Sequence, residues 1–140
     1  MYDEDSSKKL KIGKGSKLRD GSDVAIIACG VMVSEAMRAA EELSKNGVEA
    51  TVVDMHTIKP LDTDLIDELV QECGGIVTAE DHSVIGGLGS AVSEHVSYRG
   101  GVPVRMVGVS DRFGESGEPG ELMDLCLLYT SDAADDSLRV

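Results

Sequence analysis

The sequence has no tryptophan, one phenylalanine and three tyrosines, so aromatic residues make up only 3% of its 140 residues. That excludes a base-stacking platform of the kind single-stranded nucleic acid requires. It also leaves the core to Val, Ile, Leu, Ala and Met, a composition suited to close packing of helices on a sheet. Cations are scarce too: 13 Lys and Arg stand against 26 Asp and Glu, for a formal net charge of −13. Binding a phosphate backbone needs a basic face, so nucleic acid is excluded as a partner, and anionic membrane surfaces are disfavoured on the same ground. No apolar run approaches the ~20 residues of a membrane span. The polar start Met1-Tyr2-Asp3-Glu4-Asp5 does not read as a signal peptide. The cysteines, Cys29, Cys73 and Cys126, are odd in number, far apart and without a CxxC, so neither a disulfide framework nor a zinc site is implied. What remains is a reduced, acidic, cytoplasmic protein of one domain, with an ordinary 41% hydrophobic and 28% charged composition.

Residues 1–21 form a polar leading arm or linker, with an edge strand predicted around Ser16 to Arg19. The domain proper spans 22–125. Val24 to Cys29 is a continuous apolar run, the mark of a strand covered on both faces. From Val33 to Lys45 apolar residues recur at helical spacing; Ser34 or a neighbour is positioned to cap the start, and Asn46-Gly47 gives a left-handed exit. The cycle repeats. Glu49 to Val53 reads as a strand, and Asp62 as the cap of a helix carrying Leu65, Ile66, Leu69 and Val70. Ile76 to Glu80 reads as a third buried strand, with a loop from Asp81 to Gly87. A helix from Leu88 to Tyr98 then presents Leu88, Ala91, Val92, His95 and Val96 inward. Val104 to Gly108 is the fourth buried strand, and Pro119 opens a last helix. Strands alternating with helices of about a dozen residues mean βαβ units, a mainly parallel sheet and a three-layer α/β/α sandwich.

The turns after the strands are where chemistry belongs in such a fold. After the first strand only Gly30 is present where a dinucleotide site wants G-x-G-x-x-G, and Met32 stands where a small residue is needed. No Walker-type G-x-x-x-x-G-K-[ST] occurs. Glu80-Asp81-His82 followed by Gly86-Gly87-Leu88-Gly89-Ser90 admits two readings. In one, His82 carries protons and the glycine turn cradles an anion on free helix N–H groups. In the other, the glycines allow close helix–sheet packing while Glu80 and His82 bond loop backbone. His56 and Lys59 lie in the loop after the second long strand, as surface residues or as interface residues. Arg112 and Phe113 lie in a Gly-rich loop, where an aromatic beside an arginine suits an interface or plugs the edge of the core.

In their order, these segments resemble the C-terminal domain of the transketolase family of thiamine-diphosphate enzymes, most closely the separately encoded C-terminal subunit of split transketolases. The resemblance covers Tyr2 to about Asp124. Its specific parts are Tyr2-Asp3-Glu4-Asp5 before Ile12-Gly13-Lys14, Gly30-Val31-Met32-Val33-Ser34-Glu35-Ala36, Asp54-Met55-His56-Thr57-Ile58-Lys59-Pro60-Leu61-Asp62, Glu80 through Val92, and Asp111-Arg112-Phe113-Gly114-Glu115-Ser116-Gly117. Oxoacid-dehydrogenase β subunits and deoxyxylulose-phosphate synthases share the domain but resemble these segments less. The resemblance implies a five-stranded, mostly parallel sheet with one antiparallel strand. It implies a parent transferase that moves a two-carbon ketol unit between sugar phosphates. Thiamine diphosphate and a divalent metal would be bound by other domains across a dimer interface, and none by this fragment.

The glutamate that activates the cofactor belongs to a pyrimidine-binding domain that would precede Met1. No catalytic, cofactor-binding or metal-binding residue therefore maps onto this chain, and the fragment alone is expected to be inactive. Its expected part is assembly, with an N-terminal transketolase subunit or domain and a second copy of the same subunit as partners. His56, Lys59, Glu80, His82, Gly86, Gly87, Gly89, Ser90, Arg112 and Phe113 are then interface or anion-site candidates. The alternative is a stand-alone module that holds an anion or a partner at the Gly86–Ser90 helix start. Met1 falls at a segment internal to the parent subunit, as an accidental start would. After Asp124 the pattern breaks, and Cys126 to Asp135 resembles one reading frame of a transposase-type sequencing adapter. Residues 126–140 are accordingly expected to be an artefactual tail on a truncated last helix. That helix is expected to run as far as Leu128, and residues from about Ser131 should pack on nothing.

Overall fold

The computed structural model describes residues 10–125, and the side chains of residues 10–122. Two strands set the centre. β2 (Val24–Ala28) and β3 (Ala50–Asp54) are buried at every position, because helices cover both faces of the sheet they occupy. β1 (Ser16–Arg19) runs antiparallel along the outer side of β3, and β4 (Ile76–Ser83) and β5 (Val104–Val109) extend the sheet on the other side of β2. The order is β1-β3-β2-β4-β5, with all pairs parallel except β1 with β3. The sheet is thus five-stranded and mostly parallel with one antiparallel strand, as the resemblance implies.

Alternation along β2 sorts the core into two layers. Val24, Ile26 and Ala28 face α1 (Met32–Lys45), which buries Met32, Val33, Ala36, Ala40 and Leu43 against them. Ala25 and Ile27 face the other way, toward Ile66 and Leu69 of α2 (Thr63–Glu72) and Leu88, Val92 and Val96 of α3 (Leu88–Arg99). Ile27, Ile66, Leu69 and Leu88 are 0% exposed; each such side chain contributes about 1.5–3 kcal/mol of burial free energy. A short α4 (Pro119–Leu125) begins at the expected proline.

Several local expectations need correction. Ser34 does not cap α1: it lies inside the helix and donates from Oγ to the Val31 carbonyl at 2.8 Å, and Val31 at the cap position makes no side-chain bond. The exit at Gly47, with φ +81°, is as expected. Asp62 does cap α2, accepting the Leu65 N–H at 3.4 Å. β4 does not stop at Glu80 but runs on to Ser83, which pairs with Val109 across a register shift. β5 is not buried: it is the sheet's outer edge, with Arg105 exposed and Met106 45% exposed. His95 is half-buried rather than inward; its Nε2 lies 2.7 Å from Asp67 Oδ1, and Arg99 takes Asp67 Oδ2 at 3.0 Å, tying α3 to α2. Residues 1–9 of the arm, the predicted continuation of α4 to Leu128 and the predicted end of order near Ser131 lie outside the described residues.

Candidate functional site

In an open α/β sheet the ligand crevice opens where the connections from adjacent strands leave in opposite directions. Here β2 leads toward β3 while β4 leads toward β5, so the switch point lies between the carboxyl ends of β2 and β4. Cys29 and Glu80 occupy it. The loops after β2, β3, β4 and β5 all open at this end, and the candidate residues lie on these loops, on the last residues of β4 or in the first turn of α3.

Glu80 decides the chemistry of the crevice. Its side chain is 1% exposed. Oε2 accepts the Leu88 N–H at 2.8 Å and Oε1 accepts the Gly89 N–H at 2.9 Å. Two first-turn donors of α3 are satisfied by the chain's own carboxylate, which the positive end of the helix dipole favours. The anion cradle expected at Gly86–Ser90 is therefore filled from within, and an external anion would meet a buried negative charge. The neighbouring donors are engaged as well: the Gly86 N–H donates to Ser90 Oγ at 2.8 Å, and the Ser90 hydroxyl donates to the Val84 carbonyl at 2.9 Å. The glycines serve packing. A Cβ on Gly87 would lie 2.0 Å from Glu80 Oε2, and one on Gly89 would lie 2.6 Å from Met106 and 2.8 Å from Thr78 Oγ1. Of the two readings of this segment, close helix–sheet packing with Glu80 on backbone is the one the geometry supports.

The imidazoles are peripheral. His82 is exposed on the polar end of β4, with Nδ1 3.0 Å from the Ser83 carbonyl, the contact of an Nδ1-protonated tautomer. His56 is exposed and meets only Thr57 Oγ1, at 3.1 Å from Nδ1. Lys59 is exposed beside it, and β2 separates their strand from β4. Arg112 pairs with Glu115 three residues on, and Phe113 is 98% exposed rather than plugging the core. The fold brings Glu80 together with Gly87 and Gly89, and Gly86 together with Ser90. It leaves His56, Lys59, Arg112 and Phe113 as separate loop-tip groups.

Sequence reasoning passed over two residues near the switch point, Cys29 after β2 and Asp54 at the end of the neighbouring β3. Cys29 is half-buried and free. Burial, and then the charges of Glu80 and Asp54, push its thiol above the ordinary value. A thiol held protonated is a poor nucleophile. No sequence signal marks this cluster, because strand register makes it: Ala28 pairs with Asp54 on one side and Ala79 on the other, which sets Cys29 between the Asp54 and Glu80 carboxylates.

Thiamine diphosphate and its metal do not fit these residues. Among the described residues no group of three or more His, Cys, Asp or Glu side chains could hold a metal ion, and the helix start that would take a diphosphate holds Glu80. A depression of about 410 Å³ lies beside the carboxyl end of β3 at the β1 edge of the sheet, between the leading arm and α2, lined by Lys14, Lys17, Asp62, Asp64 and Glu68 among others. No helix among the described residues is long and apolar enough to cross a membrane.

Comparison with known proteins gives the family. The sequence matches the family model described as the transketolase C-terminal domain over residues 13–132. The matched span runs past 125, where the sequence pattern breaks, and includes residues 126–132 of the tail outside the described structure. A 6-deoxy-6-sulfo-D-fructose transketolase subunit of Clostridium sp. (strain MSTE9) is 50% identical over 78% of this chain and 34% of its own length. A 1-deoxy-D-xylulose-5-phosphate synthase of Trichormus variabilis is 47% identical over 84% of this chain and 19% of its own. The solved structure of a split-gene transketolase, described as an inactive β4 tetramer, superimposes with a TM-score of 0.87 at 44% identity, over 93% of this chain and 42% of that one. The chain thus spans less than two fifths of the lengths of these curated relatives.

Proposed function

The chain belongs to the transketolase C-terminal domain family, and from that premise we propose that it is the assembly domain of a split-transketolase-like subunit. In this reading the parent enzyme transfers a two-carbon ketol unit between sugar phosphates. Thiamine diphosphate and its divalent metal are held by an N-terminal partner subunit or domain and by residues outside this chain. The domain joins that partner and a second copy of its own subunit, in the cytoplasm, without nucleic acid or membrane. Taken alone it is inactive.

One observation carries the assembly role. The loops after β2, β3, β4 and β5 each present an exposed apolar side chain at the same end of the sheet: Val31 at 58% exposure, Ile58 at 37%, Ile85 at 64% and Phe113 at 98%. Single exposed apolar residues are ordinary, and it is their common place at one end of the sheet that supports a contact surface. His56, Lys59 and Arg112 are exposed polar groups on two of the same loops, of the kind that rims interfaces.

Sedimentation velocity of the full chain and of a Val31→Ser/Ile58→Ser/Ile85→Ser/Phe113→Ser variant tests the surface. The chain is expected to associate with rising concentration, and the variant to remain a monomer with an unchanged circular-dichroism spectrum. A chain that stays monomeric at every concentration, or a variant that associates equally well, would overturn the role.

A further inference from the structure

The leading arm is fastened to α2 by contacts that converge on one side chain. Asp62 is 5% exposed. Its Oδ2 accepts the Gly15 N–H at 3.0 Å, and its Oδ1 accepts Lys14 Nζ at 3.0 Å as well as the capping N–H of Leu65. Lys14 Nζ also reaches Asp64 at 3.2 Å, and Lys17 Nζ lies 2.6 Å from Glu68 and 3.3 Å from Glu72. Asp64, Glu68 and Glu72 recur at four-residue spacing and so form one stripe down α2, along which the two lysines lie. The seat is also a steric fit. A Cβ on Gly13 would lie 3.0 Å from Pro60 Cγ in a backbone already at φ +81°, and one on Gly15 would lie 2.8 Å from Leu65 Cδ2 and 3.3 Å from Met55 Cε.

Met55, Pro60 and Asp62 bracket the loop that carries His56, Ile58 and Lys59. The arm therefore grips that loop at both ends. We propose that Gly13-Lys14-Gly15 seated on Asp62 is a latch, through which the arm leading into the domain sets the conformation of the His56–Lys59 loop at the carboxyl end of β3. Release of the arm releases the loop. The charge balance agrees: burial pushes the Asp62 carboxyl up, and the bonds from Lys14, Gly15 and Leu65 overcome it and hold the group below its ordinary range. A buried carboxylate stripped of its cation is strongly unfavourable, so when Lys14 leaves, Asp62 turns toward water and draws the corner between β3 and α2 with it. The latch stands on internal contacts, whether or not the loop end of the sheet is an assembly surface.

Backbone ¹⁵N relaxation on the full chain tests it, with Lys14→Met removing the donor while keeping the stem and Gly15→Ala spoiling the seat. In the wild type the Thr57, Ile58 and Lys59 amides are expected near the rigid order parameter of about 0.85, and in both variants below about 0.6. Residues 13–17 should loosen with them, while Ala25 to Ile27 stay rigid and report an intact core. An arm that loosens while the loop keeps its wild-type values overturns the latch. So does a wild-type loop already at the mobile value, or a pair of variants in which neither segment loosens.

Discussion

The Glu80 carboxylate fills the space that any side chain at position 87 would need, since a Cβ on Gly87 would lie 2.0 Å from Oε2. The glycine and the acid form one device. It closes the start of α3 from inside the sheet and occupies the Leu88 and Gly89 N–H groups there.

The two should therefore couple energetically. Glu80→Ala leaves the Leu88 and Gly89 N–H groups unpaired in a buried site, and is expected to cost about 2–4 kcal/mol. Gly87→Ala should cost about 1–3 kcal/mol by overpacking. In the double variant the second change should cost less, because the carboxylate it collided with is gone. Urea denaturation of the four proteins measures this, and strictly additive losses would mean the contact does not bear on stability.

Thr78 offers an opposite case. It is 0% exposed, and its Oγ1 has no hydrogen-bond partner among the described residues. Thr78→Val keeps the shape and removes the unpaired hydroxyl, so stability is expected to stay level or rise by up to about 1 kcal/mol. A thermal-melt loss equivalent to more than 1 kcal/mol would show that the hydroxyl has a partner.

Asp62 gives the pH dependence its sign. Its folded carboxyl titrates below the ordinary value of 3.8, so between the two pKa values the unfolded chain binds more protons than the folded one. The contribution is fully present above about pH 4 and is lost as pH falls through the lower folded value. Asp62→Asn retains a good cap but has no proton to take up. Its stability should fall less steeply than the wild type's as pH drops below about 4, read from chemical denaturation at a series of pH values. Parallel acid limbs would contradict the assignment.

Much of the fold was legible because pattern and burial coincide in it. The run from Val24 to Ala28 reads as a doubly covered strand and is one; weak alternation before Asp20-Gly21 locates β1 at Ser16–Arg19. The illegible parts are those settled by backbone partners far along the chain. Asp81-His82-Ser83 reads as a loop because it is polar, yet β5 offers Val109 as a partner and the strand continues. Ser34 looks like a cap, but α1 begins at Met32, ahead of it. Glu80 followed by a glycine turn has the composition of an anion site. Only the distances to the Leu88 and Gly89 N–H groups show that the acid is itself the anion. Cys29 gave no sequence signal, since its place between Asp54 and Glu80 depends on strand register.

The central claim is that this domain supports a catalyst without supplying its chemistry. The direct measurement is to mix the purified chain with thiamine diphosphate, magnesium and a ketose phosphate–aldose phosphate pair, following ketol transfer together with a calorimetric titration of the cofactor. The account predicts no transfer and no saturable cofactor binding; robust ketol transfer by the chain alone, or saturable binding of thiamine diphosphate to it, would contradict the account.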